Sequence, residues 1–313
     1  MIFYFSGTGN SLHVAMAVRR RFGGVCVDMA KATADSEYTY TFEKGEAAVF
    51  VFPVYYGGLP YIVRDFIRDM DIQGETPEVV GIATCGTSPA ACDRRFARAF
   101  GDKGITVRAF YDVKMPANYI CLYDPPIREA ALMTLKRSDE RIRDVLDSMA
   151  YNHRKPYHSA IGAEVQTRAM QAAMGAMSST RAFCVTDKCI SCGQCQRICP
   201  TRSISMQDGR PIWTSPTCLK CTACINRCPA EAINYGKVTV KRHRYVHPDL
   251  HKLDQVALAK EGKISEEEVR QPASKVQAER ASEAALRELE EEARKTAPAA
   301  AAAARLAEEK DKR

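Results

Sequence analysis

Apolar residues in the first 150 positions fall into short runs of strand length, separated by stretches with helical spacing. The runs are Ile2–Phe5, Val25–Met29, Ala47–Val54, Val79–Thr84 and Ile105–Val113. Between them, Ser11–Arg21, Tyr61–Met70 and Ala90–Phe100 mix apolar and polar positions as amphipathic helices do, and a fourth such segment runs from Ile127 to about Met149. Strand and helix alternating in this way predict right-handed crossovers and a parallel sheet covered on both faces. Residues 1–150 are therefore expected to form an α/β domain, a doubly wound five-stranded parallel sheet in three layers.

The pattern changes after residue 150. Residues 151–182 read as a connector, basic and proline-containing from Tyr151 to Ser159 and rich in Ala and Met from Val165 to Met177. Met170, Met174 and Met177 stand at i, i+4 and i+7, a spacing that predicts core packing. Residues 183–240 hold nine of the 13 cysteines and read as a small α+β domain. Residues 241–313 alternate charge with alanine. Ser265 and Glu268 form a capping box that predicts a helix start. Pro272, Pro298 and the run Ala299–Ala304 argue against one continuous fold there. This stretch reads as a tail of solvated helix and disorder, with a partner-binding helix as the alternative.

The cysteines form a repeat. Cys189, Cys192, Cys195 and Cys199 precede Pro200, and Cys218, Cys221, Cys224 and Cys228 precede Pro229, each as C-x2-C-x2-C-x3-C-P with an offset of 29 residues. Ile204 and Ile233 continue the match. Between the halves, Asp208-Gly209 is a hairpin signal flanked by Ser203–Met206 and Pro211–Trp213. Three thiolates at x2 spacing wrap one face of an iron–sulfur cube, while the cysteine before proline ligates the other cube. This assigns Cys189, Cys192, Cys195 and Cys228 to one [4Fe–4S] cluster, and Cys218, Cys221, Cys224 and Cys199 to a second. Structural zinc is the alternative, but zinc sites usually pair cysteines in separated C-x2-C units. Ile190, Ile198, Ile204, Leu219, Ile225 and Ile233 are the expected shielding. This segment resembles the bacterial two-cluster ferredoxins.

A second motif follows the first strand. Ser6-Gly7-Thr8-Gly9-Asn10-Ser11 opens a helix, and such a turn surrounds a phosphate with backbone N–H groups and the positive helix end. A phosphate-binding Walker loop would need Gly-Lys-Ser/Thr, which is absent. A dinucleotide fingerprint would need glycine where Leu12 stands, although Asp28 lies at the ribose-binding distance. A tight turn with no ligand is the plainer alternative. Ligands of doubly wound sheets sit beyond the carboxyl ends of the strands. The third strand ends there in Pro53-Val54-Tyr55-Tyr56-Gly57-Gly58-Leu59-Pro60 and the fourth in Thr84-Cys85-Gly86-Thr87-Ser88-Pro89.

Together these loops resemble the flavodoxin family. That resemblance implies FMN, its phosphate held by Ser6, Thr8, Gly9, Asn10 and Ser11. The isoalloxazine would be lined by Tyr55, Tyr56, Gly57 and Gly58 and by Thr84, Cys85 and Gly86. The third loop lacks the aromatic often found in flavodoxins, which leaves the stacking ring open. Asn118 and Tyr119 follow the fifth strand at the same edge and are candidates to complete the pocket. The two halves together resemble flavodoxin–ferredoxin fusion proteins, which implies electron transfer between FMN and two [4Fe–4S] clusters and onward to a redox partner protein. An FMN-dependent oxidoreductase acting on a small molecule, with the clusters as internal wire, is the alternative. No acid/base dyad or nucleophile constellation stands out.

Composition adds exclusions. Hydrophobic residues make up 46% and charged residues 27% of 313, the balance of an ordinary globular chain. The formal charge of +7 would suggest nucleic acid. Two clusters and an FMN phosphate, at roughly −2 each, bring it near neutrality, and aromatic-rich basic strips are missing. The most apolar stretch, Ala47–Val63, is broken by Pro53, Gly57, Gly58 and Pro60 and is shorter than the roughly 18 residues a membrane helix needs. No basic leader precedes Ile2. A cytoplasmic protein is expected, where clustered thiols more often bind metal than form disulfides. Five cysteines lie outside the repeat (Cys26, Cys85, Cys92, Cys121 and Cys184). Most of them read as small buried apolar residues, with Cys85 a candidate for flavin tuning.

Overall fold

The computed structural model describes residues 1–151, 161–176, 179–216 and 218–250. The first part runs β1 (Ile2–Tyr4), α1 (Asn10–Phe22), β2 (Cys26–Asp28), α2 (Met29–Asp35), β3 (Thr39–Phe42), β4 (Ala47–Pro53), α3 (Tyr61–Asp69), β5 (Asp71–Gly74), β6 (Glu78–Cys85), α4 (Cys92–Gly101), β7 (Val107–Lys114) and α5 (Arg128–Ala150). The remainder is α6 (Ile161–Ala176), β8 (Phe183–Val185), α7 (Gln194–Arg197), β9 (Ile204–Gln207), β10 (Arg210–Trp213), α8 (Ala223–Asn226) and β11 (Ile233–Tyr235). Residues 1–254 make one compact unit, and a second, 255–313, lies outside the described residues. The capping box at Ser265 lies there too. No described helix is long and apolar enough to cross a membrane.

The main sheet has five parallel strands in the order β2-β1-β4-β6-β7. Each predicted strand is one of these five, and the order is the flavodoxin-like one, second-first-third-fourth-fifth. Its core is strongly aromatic: Phe3, Phe5, Phe50 and Phe52 of the sheet side pack with Phe66, Phe96 and Phe100 from α3 and α4. Phe3 and Phe50 stack at 4.8 Å. The opposite face carries α1 and α5.

Three elements were not anticipated from the hydrophobic pattern: α2 and the two-stranded parallel pair β3–β5. Asp28 has a structural part in the fold. Its carboxylate caps α2 by accepting from the Ala30 and Lys31 amides at 2.9 and 3.4 Å.

The cysteine-rich part is built from the antiparallel pairs β8–β11 and β9–β10. The predicted hairpin turn is present, with Asp208 at φ 49° and Gly209 at φ 75°, the left-handed pair that a two-residue turn requires. Ile204, Ile225 and Ile233 form its buried centre with Ile120 from the loop after β7. Ile190, expected as shielding, lines the cavity of Cys189, Cys192, Cys195 and Cys228 but is 64% exposed. Met170, expected in a core, is 41% exposed and lines a pocket instead.

Residues 241–250, expected to belong to the tail, pack instead. They return to the first domain as a strap, held because Tyr245, His247 and Leu250 are buried there. The Tyr245 hydroxyl donates to Asn10 Oδ1 at 2.7 Å, and the His247 amide donates to the Thr8 carbonyl at 2.8 Å.

Candidate redox site

Strand order places the switch point of the main sheet between β1 and β4, where ligands of such folds bind. A cavity of about 690 Å3 opens there, within the range of small-molecule sites. Its walls include Ser6, Thr8, Asn10 and Ser11 from the first loop, and Tyr55, Tyr56 and Gly57 from the loop after β4. Thr84, Cys85 and Gly86 from the end of β6, and Asn118 and Tyr119 from the loop after β7, complete it. Gly9 and Gly58 are not among the walls. Gly9 is the left-handed N-cap of α1, at φ 100°. Gly58 is hydrogen-bonded both ways to Tyr55 and covered by Gln171.

The first-loop hydroxyls are held in place by the protein itself. Ser6 Oγ accepts from the Gly9 amide at 3.1 Å, and Thr8 Oγ1 accepts from the Asn118 side-chain amide. Ser11 and Thr84 share one hydrogen bond at 2.8 Å. Ser6, Thr8 and one member of the Ser11–Thr84 pair each keep an O–H proton to donate elsewhere. This is an uncharged donor set for an oxyanion. Asn10 differs: its side chain donates to the Pro116 carbonyl at 3.1 Å and accepts from Tyr245. Its amide therefore locks the loop to the strap.

The aromatic wall is ordered by its own contacts. Tyr56 donates to the Tyr119 hydroxyl at 3.0 Å, with the rings edge to face at 5.5 Å. Burial pushes the Tyr55 and Tyr56 phenols well above their ordinary value and Tyr119 up to about 12, so all three remain neutral. Burial likewise pushes Cys85 up to about 12. Its thiol is a poor nucleophile.

Helix α6, read from sequence as part of a connector, closes one side. Thr167 Oγ1 donates to the Gly57 carbonyl at 3.1 Å, and Arg95 of α4 clamps Glu164 at 3.2 and 3.3 Å and also bonds Gln171. Nothing in the Ala/Met spacing signals this, because the anchoring residues are polar and their partners lie about 70 to 110 positions away.

The eight repeat cysteines divide into two further cavities. Cys189, Cys192, Cys195 and Cys228 line one. Cys199, Cys218, Cys221 and Cys224 line another. Apolar neighbours complete both, including Ile198 and Ile233 in the first and Leu219 and Ile204 in the second. Cys199, Cys218 and Cys228 each accept a backbone N–H at 3.3 Å, from Ser203, Lys220 and Ala232. Burial first, and then the neighbouring Cys218 and Cys199, push the Cys221 thiol up to about 12 against its backbone hydrogen bonds, so a bound cation is what would keep it ionised.

The 29-residue repeat extends to the backbone. Ser191 and Lys220, Gly193 and Thr222, and Arg202 and Glu231 are matched pairs, all left-handed at φ between 48° and 68°. Five of the six are not glycine, at a cost of about 1–2 kcal/mol each. Peptides bent this way around two thiol-lined cavities fit a pair of metal clusters.

The three cavities lie in sequence. Cys221 is a wall of both the sheet-edge pocket and the second cysteine cavity, and Cys224 borders both cysteine cavities. A Cβ on Gly7 would stand 3.1 Å from the Cys221 carbonyl oxygen. A side chain there would be tight unless the Cys221 peptide moved by a few tenths of an ångström.

Residues 169–236 match the family of 4Fe-4S dicluster domains. Among solved structures, a crystal structure of a protein described as a flavoprotein from Bacteroides uniformis is 16% identical. The match covers 36% of this chain and 88% of that one, at a TM-score of 0.29. No curated protein matches. The cysteine-rich region is thus of the iron–sulfur dicluster type, which supports a redox, electron-transferring role for a chain whose amino-terminal part is a five-stranded parallel α/β sheet.

Proposed function

We propose that the protein is an internal electron relay, passing electrons between FMN at the sheet edge and two [4Fe–4S] clusters, and onward to a redox partner protein. The observation that carries this reading is the row of three cavities sharing Cys221 and Cys224 as walls. When bound, FMN would exchange two electrons and each cluster one.

Cys189, Cys192, Cys195 and Cys228 would hold one cluster, and Cys218, Cys221, Cys224 and Cys199 the other. Ser6, Thr8 and Ser11 would donate to the FMN phosphate, while Tyr55, Tyr56 and Tyr119 would bound its ring as neutral phenols. Asn118 fixes Thr8 from the side. Its carbonyl also accepts from Thr222 and from the Asn226 side chain at 3.4 and 3.3 Å, so one residue aligns the flavin loop with the cluster loop. Helix α6 and the cysteine-rich part both wall the pocket, which favours electron exchange through protein over turnover of a bulky substrate.

The test is cofactor content. Protein purified without oxygen should contain about eight iron atoms per chain and release one FMN on denaturation. Zinc in place of iron removes the cluster reading, and absence of flavin removes the reading of the sheet-edge pocket. Rapid oxidation of the reduced protein by a small organic acceptor alone would favour the oxidoreductase alternative.

A further inference from the structure

Lys220 is 3% exposed, and no carboxylate pairs with it among the described residues. Its ammonium sits 3.6 Å from the Tyr235 ring centroid and 4.9 Å from that of Phe183, and donates to the Ser179 carbonyl at 2.9 Å. All three partners are neutral. Taking an ammonium out of water costs far more than ring faces and one carbonyl return, unless a charge of opposite sign is nearby. The position supplies that charge from two sides. Lys220 lies between Cys218 and Cys221, its own amide donates to Cys218 Sγ, and it lines the sheet-edge pocket.

The internal repeat provides a comparison within the same chain. Ser191 occupies the equivalent place in the first half, with the same backbone (φ 56° against 57°), but is exposed and uncharged. Only the half that faces the sheet-edge pocket has a buried cation.

We propose that Lys220 is a fixed counter-ion that sets the electrostatics of the junction between the FMN pocket and the adjacent cluster, and so separates the potentials of the two clusters. The inference rests on the relay reading above. A cluster with four thiolates is anionic and gains one more negative charge on reduction. A cation held beside one cluster stabilises its reduced form and raises its potential relative to the other. Lys220 acts through its charge as a positioning residue and is not a catalytic one.

The experiment is a redox titration, monitored by optical and electron paramagnetic resonance spectra, of wild type, Lys220→Met, Lys220→Gln and Lys220→Arg. Iron and FMN are assayed on the same samples. Met and Gln should retain both cofactors and lower one cluster midpoint by at least a tenfold change in its reduced-to-oxidised ratio, 59 mV for one electron. The other midpoint should move less, and Arg should stay near wild type. Unchanged midpoints in Met and Gln overturn the proposal. So does an Arg variant that shifts as far as Met, because packing and not charge would then be responsible. Should Met lose its clusters, Gln and Arg are read by the same criteria. Failure of the relay reading is distinguished by the wild type itself, which would then lack iron or FMN.

Discussion

Lowering the pH should loosen the strap through a single residue, His247. It is 3% exposed, and among the described residues its Nε2 has no hydrogen-bond partner. Nδ1 accepts from the Asp249 amide at 3.2 Å, and the ring stacks on His13 at 4.3 Å. Burial first, and then the His13 charge, lower its pKa from 6.5 to about 4 against the opposing pull of Asp249 and Asp139. The folded protein therefore binds this proton less readily than the unfolded chain. The stability it contributes is fully present above about pH 6.5 and is lost as the pH falls toward 4. At ~1.4 kcal/mol per unit, the whole effect is about 3 kcal/mol, and roughly 2 kcal/mol of it falls between pH 7 and pH 5. Denaturant unfolding of wild type and His247→Gln at pH 8, 7, 6 and 5 isolates it, since every other group, acid-labile cofactors included, is common to both. Wild type should lose about 2 kcal/mol more than the variant between pH 7 and pH 5. Parallel pH profiles would refute the reasoning, and so would a wild type that gains stability on acidification.

Gly9→Ala should cost about 3 kcal/mol, from left-handed strain plus displacement of the strap, because its Cβ would stand 2.7 Å from His247 Cβ. Gly24→Ala, also at positive φ but facing open space, should cost only ~1–2 kcal/mol, and equal losses by thermal melting would dismiss the strap contact. Cys228→Ala and Cys199→Ala should each leave about four iron atoms per chain. Adding Cys189→Ala should cost nothing further in the first and remove the remaining iron in the second, and the reverse pattern would rule out crossed ligand sets. Arg95→Ala should weaken the seating of α6 by about 1–3 kcal/mol, read as faster tryptic cleavage at Arg168 and weaker FMN retention.

Elements whose pattern is local were legible in the sequence. The five sheet strands are continuous apolar runs because both faces are covered, and the two cysteine blocks repeat with a fixed offset. β3 and β5 were not visible, because Asp71–Gly74 is polar and short and pairs only with Thr39–Phe42. The strap was hidden for a different reason. Tyr245 and His247 find their partners at Asn10 and Thr8, more than 230 positions away, and single residues in a charged context leave no periodicity. Met170 shows the converse, where helical spacing was present but the face it marks lines a pocket. Lys220 reads from sequence only as a charge between two cysteines. Its burial appears only when Phe183 and Tyr235, brought together by the β8–β11 pair, close around it.

The strap also determines what kind of process the relay would be. The chain passes from the sheet through α6 into the cysteine-rich part and then returns to the first loop. The two parts are thus joined at both ends of the second and cannot drift apart on a linker. Electron movement between their cofactors would be a first-order event, with a rate indifferent to protein concentration and nearly so to salt. Exchange with an outside partner would remain second-order and screened by ions. Stopped-flow records taken across dilution and ionic strength should therefore contain one phase that ignores both and one that follows both.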